Sequence, residues 1–326
     1  MIVAGDIGGT KTVLALYRDV SGKIEVVREE VFKSQDFPKF EQVLKQFLEK
    51  KASEKVTTIC LGVAGVVKDG QSKTTNLPWF LDEQKLAKEF SVKQVRLLND
   101  LQAAAYGMLF LGEDEMAVLN QGTGSERKGN IAVIAAGTGL GEGLLYWNGR
   151  EHLPVASEGG HVDFAPQSDR EIELLRFLRS EFGRVSYERI LSGPGIFNIY
   201  RFLRGTGFSE EPDWLRKKLQ IGDPSATITQ VGLARGHELC VETLNLFASI
   251  YGAEAGNLAL KTLGVGGVYV GGGIAPKILD KLKDGGFMRA FSNKGRYADF
   301  MKEIPVKIVL NSQAPLIGAA HYALRI

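Results

Sequence analysis

Residues Ile2–Tyr17 read IVAGDIGGTKTVLALY: a strand (IVAGD), a glycine turn (IGGTK) and a second strand (TVLALY). The plan returns at Ile131–Trp147, IAVIAAGTGLGEGLLYW, again strand, glycine turn, strand. Two copies of one short pattern predict two lobes built alike, each offering a glycine hairpin. A third glycine signal, VGGVYVGGGIAP, predicts an apolar strand, a turn at Gly271-Gly272-Gly273 and a helix from near Pro276.

The intervening sequence alternates between periods. IEVVREEVF reads as a further strand. Pro38 to Lys51 reads as an amphipathic helix, with Phe40, Val43, Leu44, Phe47 and Leu48 at helical spacing. A buried strand TTICLGVAG follows, then VRLLN, which runs straight into a helix capped by Asn99 or Asp100 with Leu101, Ala104, Ala105 and Met108 on its apolar face. Beyond GEDE (Gly112–Glu115) and a polar loop from Asn120 to Asn130, the second half is richer in helix, with Leu174, Leu178 and Phe182 sharing one face. A last strand VKIVL and a last helix APLIGAAHYAL close the sequence. Such alternation predicts an α/β fold, and 326 residues favour two domains.

Composition removes several classes of function. With 40 Lys+Arg against 38 Asp+Glu the net charge is +2, and no basic block stands out as a phosphate-neutralising surface for nucleic acid. No apolar run approaches the ~18 residues of a membrane span, and Asp6 and Lys11 break the apolar N-terminus, so neither membrane insertion nor a signal peptide is expected. Cys60 and Cys240 lie far apart without CxxC spacing, against a disulfide framework or structural zinc. The expected compartment is the cytoplasm.

Glycine turns at strand ends expose backbone N–H groups, a natural seat for phosphate. The common nucleotide fingerprints do not fit: Thr10 stands where a P-loop has glycine before Lys11, and Gly137, Gly139, Gly141 and Gly143 alternate rather than follow Rossmann spacing. One glycine pair alone is more simply a tight hairpin. Three such turns, the first opened by an aspartate and two carrying Thr10 or Thr138, favour a phosphate-binding set. Asp6 can hold Mg²⁺ or cap its own turn, and Lys11 can add charge near the phosphates or be solvated. Asp100, where a strand ends and a helix begins, can serve as general base or as a plain cap. In SEGGHVDFAP, Glu158 and His161 flank Gly159-Gly160 and suit vicinal sugar hydroxyls. Glu188, in YERILSGPG, reads by itself as a solvated helical glutamate.

The ordered set DIGGTKT, LLNDLQAAAYG, AAGTGLGEGLL, SEGGHVDFAP, ERILSGPG and VYVGGGIAP resembles the bacterial glucokinase family, within the actin-like sugar kinases. The match runs from the first strand to the last helix. The pairing of SEGGHVDFAP with ERILSGPG is specific to glucokinases. The resemblance implies a two-lobed actin-like (ribonuclease H-like) fold with its active site between the lobes. The smaller lobe would comprise 1–110 plus 305–326, the larger 111–304. It further implies ATP-dependent phosphorylation of glucose at the 6-hydroxyl, the entry to glycolysis, with ATP and Mg²⁺ as cofactors and a homodimeric assembly. In its pattern Asp100 resembles the catalytic base, while Asn99, Glu158, His161 and Glu188 resemble glucose ligands. Asp6, Gly8, Gly9, Thr10 and Lys11, with Gly137 and Thr138, resemble phosphate and Mg²⁺ elements, and Gly271, Gly272 and Gly273 the adenosine loop.

Two departures qualify the likeness. Many close family members have Asn where this sequence has Lys11, whereas the wider ROK group of repressors and sugar kinases often has Lys. The ROK cysteine-rich zinc motif is missing. The alternative enzymatic reading is a kinase for another hexose or an N-acetylated amino sugar. A ROK repressor would need a DNA-binding segment before Ile2, and an actin-like ATPase acting on protein would have no use for Glu158 and His161.

Overall fold

The computed structural model describes residues 1–20, 23–49, 55–74, 76–123 and 128–326. They fall into two compact units. The first comprises Met1–Gly112, His152–Ala156 and Asn311–Ile326; the second comprises Glu113–Glu151 and Ser157–Leu310.

In the first unit the two opening strands, Ile2–Ile7 and Lys11–Val20, form an antiparallel hairpin closed by the pair Ile7–Thr12. Lys23–Lys33 adds antiparallel to the second of them. Thr58–Val63 and Gln94–Asn99 extend the other side in parallel. Both faces of this sheet are covered, which explains why its central strands are apolar almost throughout. Val3, Ile7, Leu14, Leu16, Ile59 and Leu61 pack with Phe40, Phe47 and Trp79 on one side. Ile2, Ala4, Ala15 and Cys60 face Ala103, Leu316, Ala319 and Ala320 on the other.

The small side chains on that second face let helices Asp100–Met108 and Ala314–Ala323 lie close to the sheet and to each other. A methyl group on Gly318 would fall 1.8 Å from the Ala103 carbonyl oxygen, and one on Gly107 would fall 1.9 Å from that of Ala314. Gly318→Val is therefore expected to destabilise the protein by about 1–3 kcal/mol, the usual cost of overpacking. Thermal or urea unfolding checks this, and an unchanged midpoint would show that the helix pair can part without cost.

The second unit repeats the plan. Ile131–Ala136 and Leu140–Trp147 form an antiparallel hairpin closed by Ala136–Leu140. Gly267–Gly271 and Val306–Val309 follow in parallel, and Met116–Asn120 ends the sheet antiparallel to Val306–Val309. The 25-residue helix Glu238–Thr262 is buried along much of its length and supplies Leu244, Phe247, Tyr251, Ala255 and Ala259 to this unit's core.

Several expectations are corrected in detail. The helix expected over 38–51 is Phe40–Glu49 among the described residues, with Leu48 half-buried against the core; residues 50–54 lie outside the described set. Asn99, not Asp100, is the N-cap of the next helix, and Ala103 rather than Ala104 faces the sheet. Pro276 opens only a 3-10 turn, Ala275–Ile278, which leads into the short helix Leu279–Lys283. Strand Met116–Asn120 lies just after GEDE, where no strand was expected; the loop expected over 120–130 includes residues 124–127, also outside the described set. Because Val306–Val309 pairs with Gly267–Gly271 and Met116–Asn120, the C-terminal part of the first unit begins at Asn311, not at 305. Residues 152–156 join the first unit instead, where Gln102 Nε2 donates to the Pro154 carbonyl at 3.3 Å.

Candidate active site

The first unit gathers Asp6, Gly8, Gly9, Thr10, Lys11, Asn99 and Asp100. Asp6 stands one residue before the end of its strand, paired across the hairpin with Val13 and in parallel with Gly62. The turn beyond it is held in place. Gly8 N–H donates to the Lys11 carbonyl at 3.0 Å, and Ser34 Oγ donates to the Gly8 carbonyl at 2.8 Å while lying 3.0 Å from Thr12 Oγ1. Thr10 and Lys11 are exposed.

Asn99 accepts from Leu101 N–H at 3.0 Å and Gln102 N–H at 3.4 Å, and Gln102 Oε1 accepts from the Asn99 N–H at 3.0 Å, a complete capping box. Its Nδ2 donates to the Gly65 carbonyl at 3.2 Å. Asn99 thus does the capping that the sequence left open between it and its neighbour. Asp100 becomes the first helical residue, half-buried, with Oδ1 accepting from Leu101 N–H at 2.8 Å.

Burial and the nearby Asp100 carboxylate push the Asp6 carboxyl up to about 6, with Lys11 pulling the other way. Two carboxylates opposing each other's ionisation are a donor set that a hard divalent cation relieves. Mg²⁺ commonly takes only one or two carboxylates when phosphates and water complete its shell, so Asp6 with Asp100 close by fits it.

The second unit gathers Gly137, Thr138, Glu158, His161, Glu188 and Gly271–Gly273. At the hairpin tip Gly137 N–H donates to the Gly139 carbonyl at 2.8 Å, and the Gly137 carbonyl accepts from Gly193 N–H at 2.8 Å. Gly193 opens the helix Gly193–Gly205, which Ser192 caps through a 3.1 Å bond from Gly195 N–H. Gly272 has φ +81°, and a methyl group there would meet the Ala136 carbonyl oxygen at 2.2 Å, so only glycine fits. Three glycine segments of this unit therefore lie side by side, two at strand ends and one at a helix start, where anions are readily held.

Glu188 is tied to the same hairpin. Its Oε2 accepts from Leu140 N–H at 3.0 Å, and its Oε1 lies 3.9 Å from His161 Nδ1. Glu158 and His161 are exposed at the two ends of the 3-10 turn over Gly159–His161, with His161 N–H donating to the Glu158 carbonyl at 3.0 Å. A carboxylate and an imidazole side by side offer both acceptors and a donor to neighbouring hydroxyls. Glu188 is thus no solvated helical glutamate: it sits in the turn Tyr187–Arg189, held from two directions.

The glucokinase family model matches residues 3–326. This chain belongs to the glucokinase family. It is 42% identical over 342 residues to a glucokinase of Trichormus variabilis, an alignment covering 100% of this chain and 99% of the relative. A glucokinase crystal structure from an Antarctic psychrotroph is similar at TM-score 0.87 and 32% identity, covering 100% and 99% of the two chains. A ROK family glucokinase from Streptomyces griseus, solved with glucose and AMPPNP, shares the fold at TM-score 0.64 and 21% identity, covering 100% and 99%. The fold is that of the actin-like sugar kinases, and the activity that membership carries is ATP-dependent phosphorylation of glucose.

Two carboxylates in this unit escaped the sequence reading. Glu142 and Glu254 are 1% and 0% exposed. Each leaves a sequence signal, a lone charge inside a glycine-rich strand (GLGEGLL) and another inside an alanine- and glycine-rich helix (YGAEAGNLAL). A buried charge among small residues is uncommon enough to have marked both.

Proposed function

We propose that this chain phosphorylates glucose at the 6-hydroxyl with Asp100 as the general base. Glu158, His161, Glu188 and Asn99 hold the sugar, and the glycine turns at Gly8–Thr10, Gly137–Thr138 and Gly271–Gly273 hold ATP. The observation that carries this reading is the capping box at Asn99, which supplies the helix cap and sets the Asp100 carboxylate at the first helical position, where the strand gives way to the helix. Phosphoryl transfer passes through a loose transition state, so the protein's main work is to position the reactants and neutralise charge. Asp100 aligns the hydroxyl and accepts its proton. Backbone N–H groups of the glycine turns offer donors to the phosphate oxygens, and Lys11 adds a cation beside Asp6. Asp6 would hold Mg²⁺, which supplies charge neutralisation at the phosphates when bound.

Hydroxyl-reading side chains also give selectivity, because a sugar lacking a hydroxyl leaves polar groups unpaired. Sugar-dependent ADP release measured across glucose, other hexoses and N-acetylated amino sugars tests the reading. Glucose is expected to give the highest kcat/KM, and ADP release that is the same with and without sugar would overturn it.

A further inference from the structure

Glu142 lies on strand Leu140–Trp147, directly behind the glycine pair that separates Glu158 from His161. A methyl group placed on Gly159 would fall 2.4 Å from Glu142 Oε2 and 2.9 Å from its Cβ. On the other flank of the same turn, Gly160 is seated against the Leu140 carbonyl. The Glu142 side chain is buried, and among the described residues its Oε1 has no hydrogen-bond partner.

Glu254, on helix Glu238–Thr262, is the neighbouring carboxylate, and it is well provided for. Lys261 Nζ lies 3.1 Å from Oε1, and Asn257 Nδ2 donates to Oε2 at 2.8 Å. Asn257 Nδ2 also lies 3.2 Å from the Tyr187 hydroxyl, and Lys294 Nζ donates to Asn257 Oδ1 at 2.6 Å. Tyr187 immediately precedes Glu188, and its N–H donates to the Val162 carbonyl at 3.1 Å, next to His161. Tyr187 thus ties the Glu188 turn to the Glu254 cluster, and Glu142, whose carboxyl group feels the charge of Glu254, lies against the Gly159 turn.

We propose that Glu142 is a positioning residue for hexose binding, its carboxyl group supporting Gly159 and so fixing where Glu158 and His161 stand. This rests on the reading that Glu158 and His161 hold the sugar. A carboxylic acid fits that place without a partner for one oxygen far better than a carboxylate does, because an unpaired buried charge is costly. Burial, then the Glu254 carboxylate, push Glu142 up to about 7, with Lys261 opposing. The other titratable groups facing this cluster are Tyr251 from the long helix, Tyr187 from the turn and Lys294. Ionisation of Glu142 would draw water or a cation towards the carboxylate and displace the turn above it. If only the protonated form holds the loop in place, the apparent glucose KM rises by the factor 1 + 10^(pH − pKa), about 30-fold at pH 8.5.

The test is the glucose KM and kcat of the whole protein between pH 6 and 8.5, for the parent, Glu142→Gln and Glu158→Ala. The expected result is a KM in the parent that climbs above pH 7 with kcat following a separate profile. In Glu142→Gln the KM should stay flat, because glutamine preserves the shape and cannot ionise. A climb of equal size in Glu142→Gln would overturn the proposal, as would a flat KM in the parent. Should the variant not fold, calorimetric titration of glucose into the parent protein across the same pH range decides by itself, since a pH-independent affinity is fatal to the idea. Glu158→Ala separates the two levels: an unchanged glucose KM there would remove the sugar-site reading, whereas a raised KM beside an unaltered pH profile in Glu142→Gln would remove Glu142 alone.

Discussion

Asp100→Asn is expected to lower kcat by about two to four powers of ten, the range that a positioned general base contributes. Glucose affinity, measured by calorimetry, should move little. The geometry makes this substitution unusually clean. Asn99 and Gln102 carry the helix start between them through the capping box, so no cap is lost. The Asp100 side chain accepts from Leu101 N–H at 2.8 Å, a bond that an asparagine oxygen can remake. What asparagine cannot do is accept a proton. Loss of a negative charge at a helix N-terminus costs about 0.3–1 kcal/mol, so the fold should survive.

A second consequence sits at Asp6, whose carboxyl is held up partly by the charge of Asp100. In the variant the Asp6 pKa should fall below about 6, an effect readable by NMR titration. A kcat within threefold of the parent would remove Asp100 as the base, whatever happened at Asp6.

The two hairpins were legible because each needs glycine at its turn and apolar residues on strands buried on both faces, and the two demands coincide in sixteen or so residues. The structure adds the deeper equivalence that both hairpins are followed by two parallel strands. Counting back from the closing pairs Ile7–Thr12 and Ala136–Leu140 sets Asp6 against Ala135, so only the first copy brings a carboxylate to its turn. That asymmetry was visible in the sequence once the copies were aligned.

Other features were not legible, for physical reasons. The strand Met116–Asn120 is short and only partly buried, so MAVLN carries almost no periodicity against which to recognise it. The choice between Asn99 and Asp100 as cap depends on which backbone φ/ψ leaves the helix, and both residue types cap well. Glu188 looked solvated because a charge in YERIL has no local partner. Its partners, Leu140 and His161, come from other segments brought in by the chain's return. Glu142 and Glu254 differ, since each stands as a lone charge among small residues and was legible to that extent, whereas the groups that surround them are settled by tertiary packing.

Glu188 also carries the second large expected effect. Glu188→Gln should raise the glucose KM about 10- to 100-fold, the size expected when a hydrogen bond to a charged group worth roughly 1.5–3 kcal/mol is lost. Glutamine keeps one oxygen, and the Leu140 N–H, which donates to Glu188 Oε2 at 3.0 Å, will hold it there. The amino group must then face the imidazole of His161, where the parent has a carboxylate oxygen 3.9 Å away. Donor faces donor whenever that ring is protonated at Nδ1, and the acceptor offered to a sugar hydroxyl is gone. The helix behind is insulated from the change. Ser192 donates to the backbone carbonyl of residue 188, not to its side chain, and caps Gly193–Gly205 through Gly195 N–H. A thermal midpoint within a few degrees of the parent should therefore accompany the raised KM, and kcat at saturating glucose should fall far less than in Asp100→Asn. Glu188→Ala leaves the Leu140 N–H without its acceptor as well, so it should add a loss of stability of about 1–3 kcal/mol to a similar loss of affinity. If Glu188→Ala lost stability but neither variant altered the glucose KM, Glu188 would be a clamp on the Leu140 hairpin and the sugar would be read by other groups.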